Sequence, residues 1–313
     1  MPVVLGLGSS HAPSMFSPPE AWPEIHRALT KGLPQPPEVA LETPEVLREY
    51  SARIDKAFGV LRDKIAEAKL DILIIIGDDQ TEVFTKALNP AFAVFTGDQA
   101  SGSSSITWIG QKLEDNHITL KSNPELGKTI LRGLMRRGFD PASVEELKAT
   151  GKPAGGLGHA FSRIARVMHT DKTGLHAMPI FVNGYHAPQP SGERCYNFGL
   201  ALADILESRP ERIGLYASGG MSHWPLGARA GWIDVPLDTW VMERIERGET
   251  EQLKNLFTFD SDTLRSGTGE IRAWIAVAAA FHRRKGTVVD YIPARHTVTG
   301  LGFAYWENDK TRP

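Results

Sequence analysis

The sequence predicts an α/β protein: a single three-layer α/β/α sandwich on a mostly parallel or mixed central sheet. Three observations predict it. Short apolar runs alternate with stretches of helical periodicity along nearly the whole chain. The clearest of these runs, residues 71–76 in DILIIIGDDQ, is β-branched and apolar, the pattern of a strand covered on both faces. No internal repeat or low-complexity tract divides the chain, and the longest linker-like stretch is the Gly/Ser patch GDQASGSSS at 97–105. The 313 residues could form one large domain or two ordinary ones, and the alternation favours one domain over 1–313.

The first strand is expected in VVLGLG (3–8). A proline-rich stretch from Pro13 to Pro44 follows, which cannot be one continuous helix and is expected to wander over the surface. Thr43 and Pro44 form an N-cap and first-turn pair, and Val46, Leu47, Tyr50, Ile54, Ala57, Leu61, Ile65 and Ala68 recur at helical spacing. That amphipathic helix leads straight into the strand at 71–76. Another helix runs from Pro124 to Arg137 and closes at Gly138. The remaining elements are strands in MPIFVNGY (178–185) and RIGLYASGG (212–220), helices near 193–208, 236–247 and 269–283, and strands in TVVDYI and LGFAYW.

Composition narrows the function. Thirty-five Lys and Arg against 37 Asp and Glu leave a formal charge of −2, so no basic surface advertises a nucleic acid or an anionic membrane. A small-molecule partner is expected instead. The one cysteine, Cys195, excludes an internal disulfide and a multi-cysteine zinc cluster, so any metal must be held by His, Asp or Glu. The start, MPVVLGLGSS, lacks a basic segment and a long apolar one, and no apolar run reaches the length of a membrane span. A cytoplasmic protein is the expectation.

The polar residues fall in a pattern on this frame. His11 follows the first strand, Asp78, Asp79 and Gln80 the second, Tyr185 and His186 the third, and SGGMSH with His223 the fourth. In open α/β sheets, ligands bind beyond the carboxyl ends of the strands, so one shared pocket is expected. Each motif also has a plain structural reading. GDDQ can cap a helix, SGGMSH can be a tight turn, and GGLGH (155–159) can open a helix with His159. Spacing alone reaches a polar pocket in an α/β protein.

Six blocks carry more. GLGSSHAP, DILIIIGDDQ, GLGHAFSR, FVNGYHAPQPSGERC, SGGMSHWPLGARAG and SGTGEIRAWIAVAAA follow the order of blocks in the class III extradiol ring-cleaving dioxygenases. The chain resembles most the catalytic-subunit family of protocatechuate 4,5-dioxygenase and its gallate and methylgallate relatives, from residue 3 to about 306. The resemblance implies a non-haem Fe(II) enzyme, an oxidoreductase that opens a catechol-type ring and incorporates both atoms of O2. Two histidines and a carboxylate on one face of the metal leave room for a chelating diol and O2. His11 matches the first ligand and Glu270 the carboxylate, on the opening turn of a helix. Where the family has its second histidine, this chain has Gln80. Three readings stand open: Gln80 ligates through its amide oxygen, Asp78 or Asp79 substitutes, or His186 or His26 completes the site. His223 matches the family's acid–base histidine, and His159 a histidine expected to hydrogen-bond a substrate hydroxyl or the oxygen.

Specificity is less legible. Protocatechuate, gallate, methylgallate and a hydroxypyridone diol all fit the implied chemistry. A carboxylated substrate calls for a cation, and Arg163, Arg194, Arg229, Arg272 and Arg295 all lie near the blocks. Tyr185, His186 and Arg272 are the substrate-binding candidates, with Trp224 as a further wall residue. A homodimer is expected, or a chain that pairs with a small helical subunit as some relatives do. Two other function classes remain: a metal-dependent hydrolase or lyase on the same scaffold, and a non-catalytic binding protein.

Overall fold

Strand β1 (Val3–Ser9) opens the chain, in a computed structural model that describes residues 3–85, 87–147 and 156–308. Helices α1 (Trp22–Thr30) and α2 (Pro44–Ala68) precede β2 (Ile72–Gly77), β3 (Phe92–Phe95), β4 (Gln99–Ser103) and β5 (His117–Lys121). Next come α3 (Pro124–Met135), β6 (Ala142–Val144), α4 (His159–Val167), α5 (Thr170–Thr173) and β7 (His176–Val182). The chain ends with α6 (Gly192–Leu206), β8 (Ile213–Ser218), α7 (Val235–Arg247), α8 (Ile271–Ala280), β9 (Thr287–Ala294) and β10 (Thr299–Glu307).

Eight strands form one mixed sheet in the order β6-β3-β7-β2-β8-β1-β10-β9, and β4 pairs with β5 in a separate hairpin. Its middle four strands, β7-β2-β8-β1, are parallel, and β3 and β10 join them antiparallel from either side. Alternation along the strands divides the core. Ile72, Ile74 and Ile76 point into one apolar cluster with α3, α6 and α8 residues, while Leu73 and Ile75 point into the other with residues of α2 and α4. Both faces are covered, as the uninterrupted apolar β2 requires. The result is the three-layer α/β/α arrangement.

Local signals act where expected. Thr43 Oγ1 accepts from Val46 N at the start of α2, and Pro44 occupies the first helical position. Two expectations need correction. The proline-rich stretch is not merely a surface path: Pro23 lies in the first turn of α1, which buries Trp22 and Ile25. The Gly/Ser patch is not a linker but strand β4, with Ala100 and Gly102 turned inward. Gly102 is required there because the backbone of Leu157 passes where a side chain would project. Ser101 O accepts from Leu157 N at 2.7 Å, and this contact sets the entry to α4. Gly155, part of the GGLGH block, and the ends of 1–313 lie outside the described residues. Among the described residues, no helix is long and apolar enough to cross a membrane.

Candidate functional site

The four central parallel strands release their chains along one edge of the sheet, and the predicted polar residues meet there. A pocket of about 670 Å³ is lined by His11, Gln80, His159, Tyr185, His186, His223 and Glu270 among others. A larger cleft of about 790 Å³ opens at the amino ends of the same strands, lined by Arg62, Lys69, His169 and His176. There Asp71 accepts from Arg212 N, and Glu211 pairs with Arg209. The convergence of buried acids and imidazoles singles out the smaller pocket.

Register places the first histidine. Ser9 of β1 pairs with Ser218 of β8, which brings the Ser218 hydroxyl under the His11 ring. Ser218 Oγ donates its one proton to the Ala160 carbonyl at 2.5 Å, so at 2.9 Å it accepts from His11 Nδ1–H. His11 Nε2 therefore faces inward, 3.4 Å from Glu270 Oε2. Glu270 ends a 3-10 turn and caps α8, and its side chain is 1% exposed. Its Oε2 accepts from Gly220 N at 2.6 Å and its Oε1 from Gln80 Nε2 at 3.0 Å. Burial opposes the Glu270 charge, yet His223 and His11 hold its carboxyl well below the usual range.

The three residues after β2 part company. Asp79 accepts from Thr81 N and Phe84 N through Oδ2 and from Val83 N through Oδ1, which fixes the loop. Among the described residues no helix follows before β3, so Asp79 braces a loop where the plain reading of GDDQ had a helix cap. Asp78 is different: both of its carboxylate oxygens are buried without a hydrogen-bond partner. Burial, then the charges of Glu270 and Glu82, push its carboxyl well above the usual value. Among the described residues, His11, Asp78 and His159 each offer one ligand atom within 4.8 Å of one another. A buried carboxylate with no well-formed hydrogen bond, only a weak pull from the Gln80 side chain, faces imidazole nitrogens and a second carboxylate, a donor set that suits a divalent cation.

The other histidines are oriented by their second nitrogens. His159, the first residue of α4, hydrogen-bonds Glu82 Oε1 through Nδ1 at 2.5 Å, and burial lowers its pKa to about 4. Its neutral ring leaves Nε2 for the pocket. Glu82 carries no signal in the sequence that marks it as this partner. His223 donates from Nδ1 to Met221 O at 2.8 Å, and its Nε2 lies 3.3 Å from Glu270 Oε1. Burial pulls the His223 pKa down, but Glu270 and the Met221 carbonyl outweigh it and the net direction is upward. Gly267 closes over this ring so tightly that a Cβ there would overlap His223 Nε2.

Tyr185 and His186 line the pocket, the latter with Nε2 3.4 Å from Thr81 Oγ1. Burial and the nearby carboxylates push the Tyr185 hydroxyl pKa upward. Arg272 is not brought to the pocket. It donates from Nε to Pro190 O at 2.6 Å and stacks 3.7 Å from the Phe257 ring centroid, because α8 turns it to the side away from Glu270. His26 lies elsewhere too, with its ring 5.1 Å from that of His296. Trp224 stacks with Arg229 and is not part of the pocket lining. Arg163 does reach the pocket, four residues after His159 on α4.

Comparison with known proteins places these residues in context. Residues 32–302 match the family described as the catalytic LigB subunit of aromatic ring-opening dioxygenase. A 2,3-dihydroxyphenylpropionate/2,3-dihydroxicinnamic acid 1,2-dioxygenase of Comamonas testosteroni is 28% identical over 174 residues, 55% of this chain and 49% of that protein. A gallate dioxygenase of Pseudomonas putida is 25% identical over 194 residues, 58% of this chain and 52% of that protein. The chain thus spans about half the length of the curated relatives it matches. The crystal structure of an uncharacterized protein from Escherichia coli K12 shares the fold, with a TM-score of 0.50 and 13% identity over 96% of this chain and 99% of that one.

Proposed function

Because this chain belongs to the family of LigB catalytic subunits of aromatic ring-opening dioxygenases, we propose that it is a metal-dependent extradiol dioxygenase that cleaves a catechol-type ring with O2. The observation that carries this reading is the Asp78 carboxylate, buried and unpartnered beside His11 and the second carboxylate Glu270. We assign His11, Asp78 and Glu270 to the metal, with Asp78 in the role that the family gives to a histidine. These are the more deeply buried donors, whereas the His159 side chain is 15% exposed. Gln80 then serves Glu270 as a hydrogen-bond donor. A second reading has its own observation, since His11, Asp78 and His159 make the compact cluster and supply two histidines and one carboxylate. Loss of metal in His159→Ala would favour it; retention favours Glu270.

Bound there, Fe(II) would supply a chelation point for both oxygens of a vicinal diol and a path for electrons from the ring to O2. The protein's own groups do the rest. His223 keeps Nδ1–H on Met221 O, so it exchanges protons at Nε2, the atom beside Glu270. It accepts the proton of a substrate hydroxyl and returns one as the ring opens. His159 stands neutral, with Nε2 free to hydrogen-bond the substrate or oxygen. Tyr185 and His186 form the wall around the ring. The protein is proposed as one catalytic domain, cytoplasmic and homodimeric.

The test is anaerobic purification with metal analysis, then oxygen uptake after adding Fe(II) and a panel of catechols, gallates and hydroxypyridones. Uptake with a new visible chromophore is expected, together with loss of metal in His11→Ala and loss of turnover without loss of metal in His223→Ala. Bound metal without uptake on any diol would move the assignment to a hydrolase or lyase. No bound metal would leave a non-catalytic binding protein.

A further inference from the structure

Resting on the proposed function for the identity of the ring, we infer that Arg163 is the anion receptor of the pocket and binds a carboxylate carried by the substrate. Arg163 is 8% exposed as a residue and lines the pocket wall. One terminal nitrogen, Nη1, donates to the His11 carbonyl at 3.0 Å. Nε is buried without a partner, and among the described residues Nη2 makes no hydrogen bond either. The nearby acids are committed elsewhere: Glu82 to His159 and to Gln80 N, Glu270 to Gly220 N, Gln80 and the histidines.

The Glu82 and Glu270 charges lie near enough to favour the cation, but no carboxylate bonds its guanidinium, and a ligand carboxylate would complete it. An arginine guanidinium stays charged at neutral pH. Its planar fork matches a carboxylate, and its side chain is held by the His11 contact and by the Phe16 ring 5.9 Å away. Three other arginines near the sequence blocks lack this freedom. Arg229 pairs with Asp262, Arg194 covers the Phe92 and Phe139 rings, and Arg272 is tied to Pro190 O. Arg163 is thus placed to read the substituent of the ring, while the residues around Asp78 read its diol.

Two measurements test this. Calorimetric titration compares benzoate with its neutral isostere benzamide on the wild type, Arg163→Lys and Arg163→Met. The wild type is expected to favour benzoate at least about tenfold, Lys to keep part of that preference and Met to lose it. Equal binding of the two by the wild type, or an undiminished preference in Arg163→Met, would overturn the inference. The second measurement is kcat/KM by oxygen uptake for 3,4-dihydroxybenzoate and catechol. In Arg163→Met, which also loses the bond to His11 O, the ratio of the value for the acid to that for catechol is expected to fall at least about tenfold. A parallel fall for both substrates in a folded variant would mark Arg163 as structural. If Met does not fold, the wild-type and Lys titrations still decide. A benzoate preference without oxygen uptake on any diol would retain the receptor and overturn the dioxygenase reading, and uptake indifferent to Arg163 would do the reverse.

Discussion

Asp78 and Asp79 are neighbours in sequence with the same side chain and opposite circumstances. Asp79 meets three backbone N–H groups, and its pKa, raised to about 6 chiefly by burial, is moderated by those bonds. Asp78 meets none. Replacing it with the neutral isostere therefore has opposite effects on two quantities. Asp78→Asn is expected to weaken metal binding by more than about 100-fold, since losing even the support of a ligand costs 10–100-fold. Without metal, the same variant is expected to melt higher by about 2–4 °C, because the wild-type carboxyl must either stay charged in a buried site or take up a proton, and the amide does neither. Metal titration and thermal melts of the metal-free protein at neutral pH check both. Unchanged metal affinity would remove Asp78 from the metal set.

At the scale of elements, the turn after β8 is held from behind by α7. Asp238 of that helix accepts from Ser222 N through Oδ1 at 2.7 Å and from the Tyr291 hydroxyl of β9 through Oδ2 at 2.7 Å. His223 follows Ser222, so three elements converge on its backbone. Burial pushes the Asp238 pKa up to about 7, against an unfolded value near 4. The folded chain thus keeps a proton that the unfolded chain gives up across this interval. The contribution is present below pH about 4 and is lost as pH rises through about 7. Asp238→Asn is expected to flatten that part of the decline. Urea midpoints at pH 5 and pH 8 measure it: the wild type should lose more stability between them than the variant, and an equal loss would show that Asp238 is not the source.

At the scale of the whole molecule, the two apolar clusters share one sheet, because consecutive residues of β2 belong to opposite clusters. Neither face can be uncovered without disturbing the strands that carry the site. One cooperative unfolding transition is expected for the single proposed domain. Ile75→Ala, within the second cluster, should lower stability by about 2–5 kcal/mol while oxygen uptake per folded molecule is unchanged. Two resolved calorimetric transitions would contradict the single domain.

What the sequence by itself determined is the layered frame and the place of the pocket. The apolar period of β2, the Thr43–Pro44 start of α2 and the polar residues after four strands are local signals, and local signals survive translation into structure. It did not distinguish Asp78 from Asp79, foresee Glu82 behind His159, turn Arg272 away or choose Arg163. It also missed β4, where a Gly/Ser composition that suits a linker meets a backbone neighbour close enough to demand glycine. The tertiary structure decided these because each depends on a partner far along the chain: Ser218 for His11, Gly220 for Glu270, His11 O for Arg163. Periodicity reports which face of an element is buried, whereas the hydrogen bonds a buried polar atom makes or lacks are set only when distant segments close around it.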